Sequence, residues 1–353
     1  MERATIKDIA RAVGVSIATV SRVLNKSDYP VREELREKVL EMAEELRYTP
    51  NIYGKLLKSG KSNDIGVVVP SLINPFYAET VTGIEVECHS RGYNPILCSS
   101  NNAYSREKEH IEFFMQKRMR GILVCTINED DTYLRQVIRD NPNIVLFDQP
   151  ITDFECDYVS FDFHRAGVIA AEHLLEKGHR EIAFLSPPFD RKSRKEQFNG
   201  FYETLQSRGV AFDMSSLIIC ATGDENAETS ILEFRNGQEL AKCFLKAGRP
   251  ATAVVVVNDI TAIGVINEFS KNNLRIPDDI SVMGFDNIMF SAMVNPPFTT
   301  VNQPSFEMGK LAVRLLIDKI ANKPDGLSSI VLEPYIVERE SIKEIGKPRF
   351  RTL

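Results

Sequence analysis

The amino-terminal fold is decided by residues 5–25, which read TIKDIARAVGVSIATVSRVLN. Apolar side chains recur at helical spacing on both sides of Gly14, so the stretch predicts two short helices around a tight turn. Thr5, followed three residues later by Asp8, is typical of a helix start, and Ser16 is placed to cap the second helix. Two helices joined by such a short turn predict a helix-turn-helix.

A third helix is predicted from about Arg32 to Arg47, because apolar residues there fall on one face. Those residues are Leu35, Val39, Met42, Ala43 and Leu46. Three short helices that share one apolar centre make a minimal domain over residues 1–48. A small helical adaptor that does not touch DNA is the alternative interpretation of this pattern.

The second helix has an outward face that favours DNA recognition over the adaptor. Ala18, Ser21, Arg22 and Asn25 recur on the side opposite its apolar residues. Small side chains let the backbone approach base edges, and an arginine suits the O6 and N7 atoms of guanine.

The charge is unevenly distributed along the 353 residues, whose formal net charge is −6. Residues 1–63 hold 12 Lys and Arg against 9 Asp and Glu, so this part carries +3 and the remainder −9. A basic head on an acidic body allows local phosphate contact without general binding to nucleic acid. The length predicts two or three globular units.

The composition is that of an ordinary globular chain, with 43% hydrophobic and 26% charged residues. Six scattered cysteines without a C-x-x-C pair predict reduced core residues and no metal site. The first residues are not an apolar signal segment, and no apolar run approaches the roughly 18 residues of a membrane span. We therefore expect a cytoplasmic protein without membrane contact, associated with the nucleoid if it binds DNA.

From Asp64 onward, short β-rich apolar runs alternate with amphipathic helical patterns. This alternation predicts parallel sheets covered on both faces, and the number of units predicts two lobes. The predicted strands are Ile65–Val69, Ile96–Cys98, Ile122–Cys125, Ile144–Phe147, Ile182–Leu185, Leu217–Cys220, Val254–Val257 and Ile280–Met283. Polar residues follow several strands, at the edge where open α/β sheets bind ligands.

Residues 5–25 resemble the head signature of the LacI/GalR family of transcription regulators along their whole length. The resemblance implies that Ile17, Ala18 and Arg22 read bases in the major groove of double-stranded DNA. It implies Thr5 as a further DNA-binding residue, and Ser16, Thr19, Ser21 and Asn25 as residues that hold phosphates or fix the helix on the DNA backbone. Phosphate contacts position such a helix, and base contacts specify the sequence.

Residues 49–63 are expected to form a hinge helix and linker. So short a helix is marginal in water, and Gly54 weakens it by about 1 kcal/mol relative to alanine. By resemblance, the hinge folds on DNA with Tyr53 as a contact, and Leu57 from each of two chains wedges into the minor groove. The family usually has alanine-arginine where this chain has Gly54 and Lys55. A plain linker is the alternative.

The core, over residues 64–341, resembles the periplasmic-binding-protein-like sensor of the same family. Matching stretches include PSLINPFY at 70–77 and IPDDISVMGFD at 276–286. The family topology implies crossings between the lobes near residues 162, 298 and 326. Lobe 1 would then hold about 64–162 and 299–326, lobe 2 about 163–298 and 327–341, and 342–353 would be a tail.

Eight residues are candidates for binding a small effector between the lobes. They are Asn74, Phe76, Asp148, Asn258 and Asp286, which follow predicted strands, and Arg191, Ser193 and Gln197, which match pocket positions of relatives. Sugars need carboxylates and amides for paired hydroxyls and an aromatic surface for C–H faces, and this set supplies both. Gln197 stands where relatives often have arginine, so it removes a fixed positive charge.

Each candidate also has a plainer interpretation. The Asp and Asn residues can be loop caps, Phe76 can be core packing, and the basic cluster at 191–195 can be a solvated loop. An enzyme on a nucleotide-binding fold is a rival class, but no glycine-rich phosphate loop follows any predicted strand, so we expect no catalytic residue and no cofactor. An extracytoplasmic solute-binding protein is the second rival, which the helix-turn-helix opposes.

The combined pattern therefore predicts a sequence-specific DNA-binding transcription regulator, with repression as the family's usual output. The resemblance implies that a sugar-like effector controls its affinity for DNA. It also implies a homodimer with two-fold symmetry on a pseudo-palindromic operator.

Overall fold

A computed structural model describes residues 4–25, 29–48, 62–128, 130–220, 229–248, 251–321 and 328–346. The chain forms two compact units and passes from the first to the second between Ser62 and Asn63. The expected hinge helix, with Tyr53, Gly54 and Leu57, lies outside the described residues.

The first unit, the head, contains the helices α1 (Ile6–Val13), α2 (Ile17–Leu24) and α3 (Glu33–Glu45). At the start of α1, the Asp8 carboxylate accepts hydrogen bonds from the Thr5 amide at 2.9 Å and the Thr5 hydroxyl at 2.7 Å. Gly14 ends α1 with φ +74°, a left-handed conformation that glycine adopts without strain. The Ser16 hydroxyl starts α2 by accepting from the Thr19 amide at 3.1 Å.

Buried side chains from all three helices form the centre of the head. They are Ile9, Ala10, Val20, Val23 and Val39. Leu46 was expected in this centre but is 37% exposed, because α3 ends at Glu45 and Leu46 lies at its carboxyl end. The helix-turn-helix prediction is confirmed.

Lobe 1 of the second unit is built on a parallel sheet. Its strands are β1 (Asp64–Val69), β2 (Asn94–Ser99), β3 (Gly121–Val124), β4 (Ile144–Asp148), β5 (Tyr158–Phe161) and β11 (Ser329–Leu332), in the order β11-β5-β4-β3-β1-β2. Its helices are α4 (Pro75–Ser90), α5 (Tyr104–Gln116), α6 (Thr132–Asp140) and α11 (Ser305–Ile320).

Lobe 2 repeats this architecture with one antiparallel edge. Its strands are β6 (Ile182–Ser186), β7 (Leu217–Ile219), β8 (Ala253–Val256), β9 (Ser281–Asp286), β10 (Thr299–Asn302) and β12 (Tyr335–Val337), in the order β12-β10-β9-β8-β6-β7. Its helices are α7 (Phe163–Glu176), α8 (Lys192–Ser207), α9 (Thr229–Ala247) and α10 (Asp259–Lys271). Strand β12 runs antiparallel to β10.

Both faces of the central strands in each sheet are buried, which explains their continuous apolar sequences. In lobe 1, Ile65 and Leu123 pack towards α4 and α11, whereas Val68 and Ile122 pack towards α5 and α6. A strand covered on both sides has no solvent face that requires polar residues. The predicted α/β class with two lobes is confirmed.

All eight predicted strands are found, whereas β5, β10, β11 and β12 were missed. The missed strands are short, and β10 reads Thr-Thr-Val-Asn, which has no continuous apolar run. Their strand conformation depends on pairing with other strands, such as β9 for β10 and β5 for β11, which the local apolar pattern does not record.

Two of the expected crossings between the lobes are wrong. Residues Thr299–Asn302 pair with β9 and belong to lobe 2, so the chain crosses at 303–304 and not near 298. Residues Ser329–Leu332 pair with β5 and belong to lobe 1, so the last crossing is at 333–334. Residue 326 itself lies outside the described residues. Both errors arise because strand pairing is non-local and leaves no mark in the apolar pattern.

Residues 342–346 belong to lobe 2 and are not a free tail. Ile342 packs on the lobe 2 core, and the Lys343 carbonyl accepts a hydrogen bond from the His179 ring at 2.9 Å. The Ile345 amide donates to the Lys177 carbonyl at 2.8 Å. These contacts attach the end of the described chain to the lobe.

Helices α7 and α8 cross in direct backbone contact at Gly167 and Gly200. A Cβ atom on Gly200 would lie 2.0 Å from the His164 carbonyl oxygen, and one on Gly167 would lie 2.0 Å from the Gln197 carbonyl oxygen. Only glycine permits this approach. The crossing therefore sets the position of the first half of α8, which carries Arg194 and Gln197.

Candidate functional site

Helix α2 presents the predicted base-reading residues to solvent. Ile17 is 46% exposed, and Ala18 and Arg22 are exposed as well. The Arg22 guanidinium lies over the Tyr29 ring, 3.9 Å from its centroid. This cation–π contact holds the arginine at the surface of the head, where a DNA groove could reach it.

The other head candidates are tied down by short local hydrogen bonds. The Ser16 and Thr19 hydroxyl oxygens are 2.9 Å apart. The Asn25 side-chain amide donates to the Ser21 carbonyl at 2.7 Å. These side chains and Thr5 are partly or fully exposed. Their predicted role as DNA contacts stays a prediction.

In the second unit, a small cavity of about 50 Å³ lies between the lobes, and all eight predicted effector residues line it. These residues are Asn74, Phe76, Asp148, Arg191, Ser193, Gln197, Asn258 and Asp286. They come together because the carboxyl ends of β4, β8 and β9 and the starts of α4 and α8 converge there. The structure thus places the whole predicted set in one location.

Seven further lining residues were not predicted. They are Tyr77, Gln149, Phe163, Arg194, Glu233, Val257 and Gln303. Arg194 belongs to the basic cluster for which a solvated loop was the alternative, yet its side chain is buried. Glu233 lies in a polar segment without a recognisable motif. Because a single buried glutamate on a helix looks like a surface residue in sequence, nothing there could have identified it.

Glu233, on α9, connects polar side chains of both lobes. Its carboxylate accepts a hydrogen bond from the Asn74 side-chain amide of lobe 1 at 2.8 Å. It also accepts one from the Asn258 side-chain amide of lobe 2 at 3.4 Å. Asn74 and Asn258 use their other side-chain atom to cap α4 and α10, so both amides are held in place.

Asp148 ends β4 with φ +71°, which turns its carboxylate into the cavity. Burial raises the pKa of Asp148 to about 6, while hydrogen bonding with Cys125 and the positive charge of Arg191 act in the opposite direction. The Cys125 thiol donates to this carboxylate at 3.6 Å. A carboxyl group of this kind can either accept or donate hydrogen bonds near neutral pH.

Asp286 ends β9 with φ +112°, a conformation that costs energy for any residue with a Cβ. Desolvation, and next the nearby Asp259 carboxylate, raise the pKa of Asp286 well above its usual range. Asp259 accepts hydrogen bonds from the Thr300 hydroxyl at 2.7 Å, the Ile288 amide at 3.1 Å and the Ser291 hydroxyl. These bonds hold the loop after Asp286 and maintain its strained conformation.

Among the described lining residues, positive charge comes from the start of α8. Arg191 and Arg194, at the start of α8, lie near the carboxylates of Glu233 and Asp148. Arg194 also pairs with Asp190. Charged groups, amides and aromatic rings together can surround a ligand that carries many hydrogen-bonding groups.

The described residues impose two further limits. No group of three or more His, Cys, Asp or Glu side chains in that part of the chain could hold a metal ion. Among the described helices, none is both long and apolar enough to cross a membrane.

Head and cavity together define a class of protein: a DNA-binding regulator with a two-lobed ligand-binding core. Residues 5–51 match the family model of bacterial regulatory proteins, lacI family, and residues 171–342 match the periplasmic binding protein-like domain.

Curated relatives match over nearly the whole chain. The HTH-type transcriptional repressor PurR of Vibrio campbellii is 33% identical over 345 residues, which cover 97% of this chain and 100% of the relative. PurR of Mannheimia succiniciproducens is 32% identical over 346 residues, with coverage of 97% and 100%.

Solved structures agree with this result. The lac repressor dimer bound to operator and the anti-inducer ONPF has a TM-score of 0.81 and 25% identity, covering 97% of this chain and 100% of that one. The complex of the transcriptional regulator CelR with cellobiose has a TM-score of 0.70 and 28% identity, with coverage of 96% and 100%. The chain belongs to the LacI/GalR family, and it is a DNA-binding transcriptional repressor with a small-molecule effector.

Proposed function

We propose that a small sugar-like effector binds in the cavity between the lobes and changes the affinity of a homodimer for a pseudo-palindromic operator. The observation that supports this proposal most strongly is the convergence of all eight predicted effector residues on one cavity. Some of these residues are more than two hundred positions apart in the sequence, so their meeting at the junction of the two sheets is not expected by chance.

The chemistry of the cavity favours a polyhydroxylated ligand. Asp148 and Asp286 offer carboxyl groups, Asn258 and Gln197 offer amides, and Phe76 offers a ring face for C–H groups. The solved relative CelR is in complex with cellobiose, which is a ligand of this chemistry.

Accommodating a sugar requires the lobes to move. The cavity holds about 50 Å³, whereas ligand pockets commonly span about 300–1,000 Å³. Effector binding should therefore be linked to lobe separation. A ligand can alter operator affinity only through different affinities for the two lobe arrangements.

We expect a dimer because the surface of one head that can contact DNA bases is small. One eight-residue helix contacts too few base pairs to select a site in a genome. Two heads related by two-fold symmetry double the site, and half-sites about one helical turn apart match that symmetry. The lac repressor structure, a dimer on its operator, is a relative with this arrangement. A regulator of genomic DNA would act in the cytoplasm at the nucleoid.

The proposal is tested with the full chain and selected DNA. Sites selected from random duplexes should show dyad symmetry, and a panel of mono- and disaccharides should contain one that shifts operator affinity. Asp286→Ala should abolish that shift and leave effector-free operator binding largely intact. Asp318→Ala, a carboxylate on α11 that does not line the cavity, is the control. Asymmetric sites would refute the dimer, and a normal response of Asp286→Ala would refute the pocket.

A further inference from the structure

The cavity is narrow because the protein's own side chains close it. The Glu233 carboxylate of lobe 2 lies 2.8 Å from the Asn74 amide nitrogen of lobe 1. Nearby, the Gln149 side chain of lobe 1 accepts a hydrogen bond from the Ser193 amide of lobe 2 at 3.5 Å. Asn74, Gln149 and Ser193 line the same cavity. Two residues expected to contact an effector, Asn74 and Ser193, are therefore each paired with a residue of the opposite lobe.

We propose that Glu233 acts as an internal substitute for the effector. Its carboxylate binds Asn74 and holds the lobes together, so that an incoming ligand must replace the contact between Glu233 and Asn74 before the site is available. Closure by Glu233 does not depend on what the cavity binds. Competition with an effector rests on the function proposed above.

The position of Glu233 is suited to this task. Its side chain is buried, which is unfavourable for a carboxylate unless it is compensated. Positive charge from Arg191 and Arg194, together with hydrogen bonds from Asn74 and Asn258, supplies that compensation. Among the described partners of Glu233, Asn74 is the one in lobe 1, so lobe separation must break this bond as well as the one between Ser193 and Gln149.

The contact between Glu233 and Asn74 also limits the chemical class of ligand that can bind in the cavity. Removing the Asn74 bond leaves a buried carboxylate with an unmet hydrogen-bonding requirement, which is strongly unfavourable. A ligand that donates a hydrogen bond from an O–H or N–H group to Glu233 replaces the bond lost from Asn74. An apolar ligand, or one that only accepts hydrogen bonds, does not replace it. Glu233 therefore selects ligands with hydrogen-bond donors, such as adjacent hydroxyl groups.

Hydrogen–deuterium exchange of the effector-free full-length protein tests the closure. Glu233→Ala removes the acceptor. Asn74→Asp removes the donor but keeps the side-chain oxygen that caps α4. Because a hydrogen bond to a charged group is lost, both variants should exchange about tenfold faster in the segments 72–78 and 189–198 that border the cavity.

Two controls separate closure from a general structural role. Asn272→Asp makes the same chemical change elsewhere in lobe 2, where the Asn272 amide donates to Glu268 and does not line the cavity, so exchange at the cavity should stay near the wild-type rate. Glu239→Ala removes a partly exposed glutamate on the same helix that pairs with Lys242, and it should have no effect at the cavity.

Two results would overturn the inference. If Glu233→Ala and Asn74→Asp exchange at the wild-type rate in the segments that border the cavity, the contact does not hold the lobes together. Equal acceleration throughout both lobes would show that Glu233 only stabilises the fold. Neither result bears on whether a saccharide binds, so the closure and the proposed function can fail independently.

Discussion

The recognition surface of the head and the cavity of the core are built in opposite ways. Most of the head candidates belong to α2 and its two caps, within the ten residues from Ser16 to Asn25. The cavity takes its residues from positions as distant as Asn74 and Gln303 and from both lobes. A site on one helix follows from local periodicity, whereas a site between two sheets exists only once distant strands have paired.

The two sites also differ in their relation to water. The head candidates are partly or fully exposed. Among the described residues of the head, hydrogen bonding with Thr5 lowers the pKa of the Asp8 carboxyl. In the core, burial raises the pKa of Asp148 and of Glu107, a lobe 1 residue on α5. The polar groups of the head stay in contact with water until a partner covers them. The polar groups of the core cavity are already buried, and several of them are paired with each other.

The largest expected effect tests whether the two units fold separately. Ile9 is fully buried in the small head core, so Ile9→Ala should remove about 2–5 kcal/mol. A domain of this size has little stability to lose, so the head should unfold and operator binding should be lost. Hydrogen exchange should rise in α1 to α3, with core peptides unchanged.

The reciprocal variant for this prediction is Ile84→Ala, which removes a fully buried side chain on α4. It should accelerate exchange in the core and leave the head protected. If either variant weakens both units, the contrast between an independent head and an independent core is wrong.

A smaller effect, in pH dependence, should distinguish the core from the head. Burial raises the pKa of Glu107 from 4.5 to about 7, against hydrogen bonds from Thr126 and Asn128. The folded core therefore binds more protons than the unfolded chain between those pH values, and Glu107 makes it less stable as pH rises through that window. Glu107→Gln should be more stable than wild type by about 2–3 kcal/mol at pH 8 and nearly equal at pH 4.5.

Urea unfolding of the core across this pH range measures the difference. Glu112→Gln, a change at a half-exposed position on the same helix, should leave the profile unaltered. The head should show the opposite slope only in stronger acid, below the ordinary aspartate pKa of 3.8, because the lowered pKa of Asp8 means that acid weakens its capping interaction there. If the stability difference between wild type and Glu107→Gln does not change with pH, the raised pKa of Glu107 is contradicted.

The smallest effect concerns a single base contact in the head. Arg22→Ala should weaken specific binding by about 1–3 kcal/mol and relax one base position in each half-site. Arg36→Ala, on α3 beside Glu33, is a matched loss of charge outside the recognition face. Titration on a selected operator and on base-substituted operators at fixed salt provides the comparison. An equal loss on all sequences would make Arg22 a phosphate contact.

Much of this protein follows from the sequence alone, because many of its rules are local. Capping by Thr5 and Ser16, the turn at Gly14 and eight apolar strands depend on residues a few positions apart. The predicted cavity residues follow from another general rule, that polar side chains after parallel strands collect at one edge of a sheet.

Only the tertiary structure decided where β10 and β11 belong, and that Glu233 and Arg194 lie inside the cavity. Strand pairing is a choice among distant partners, and short strands such as β10 carry no apolar run that reveals it. A glutamate or arginine on a helix is usually solvated, so its burial becomes evident only when opposite charges from other elements are placed beside it. The free energy that fixes such residues lies between segments far apart in the chain, where no local pattern records it.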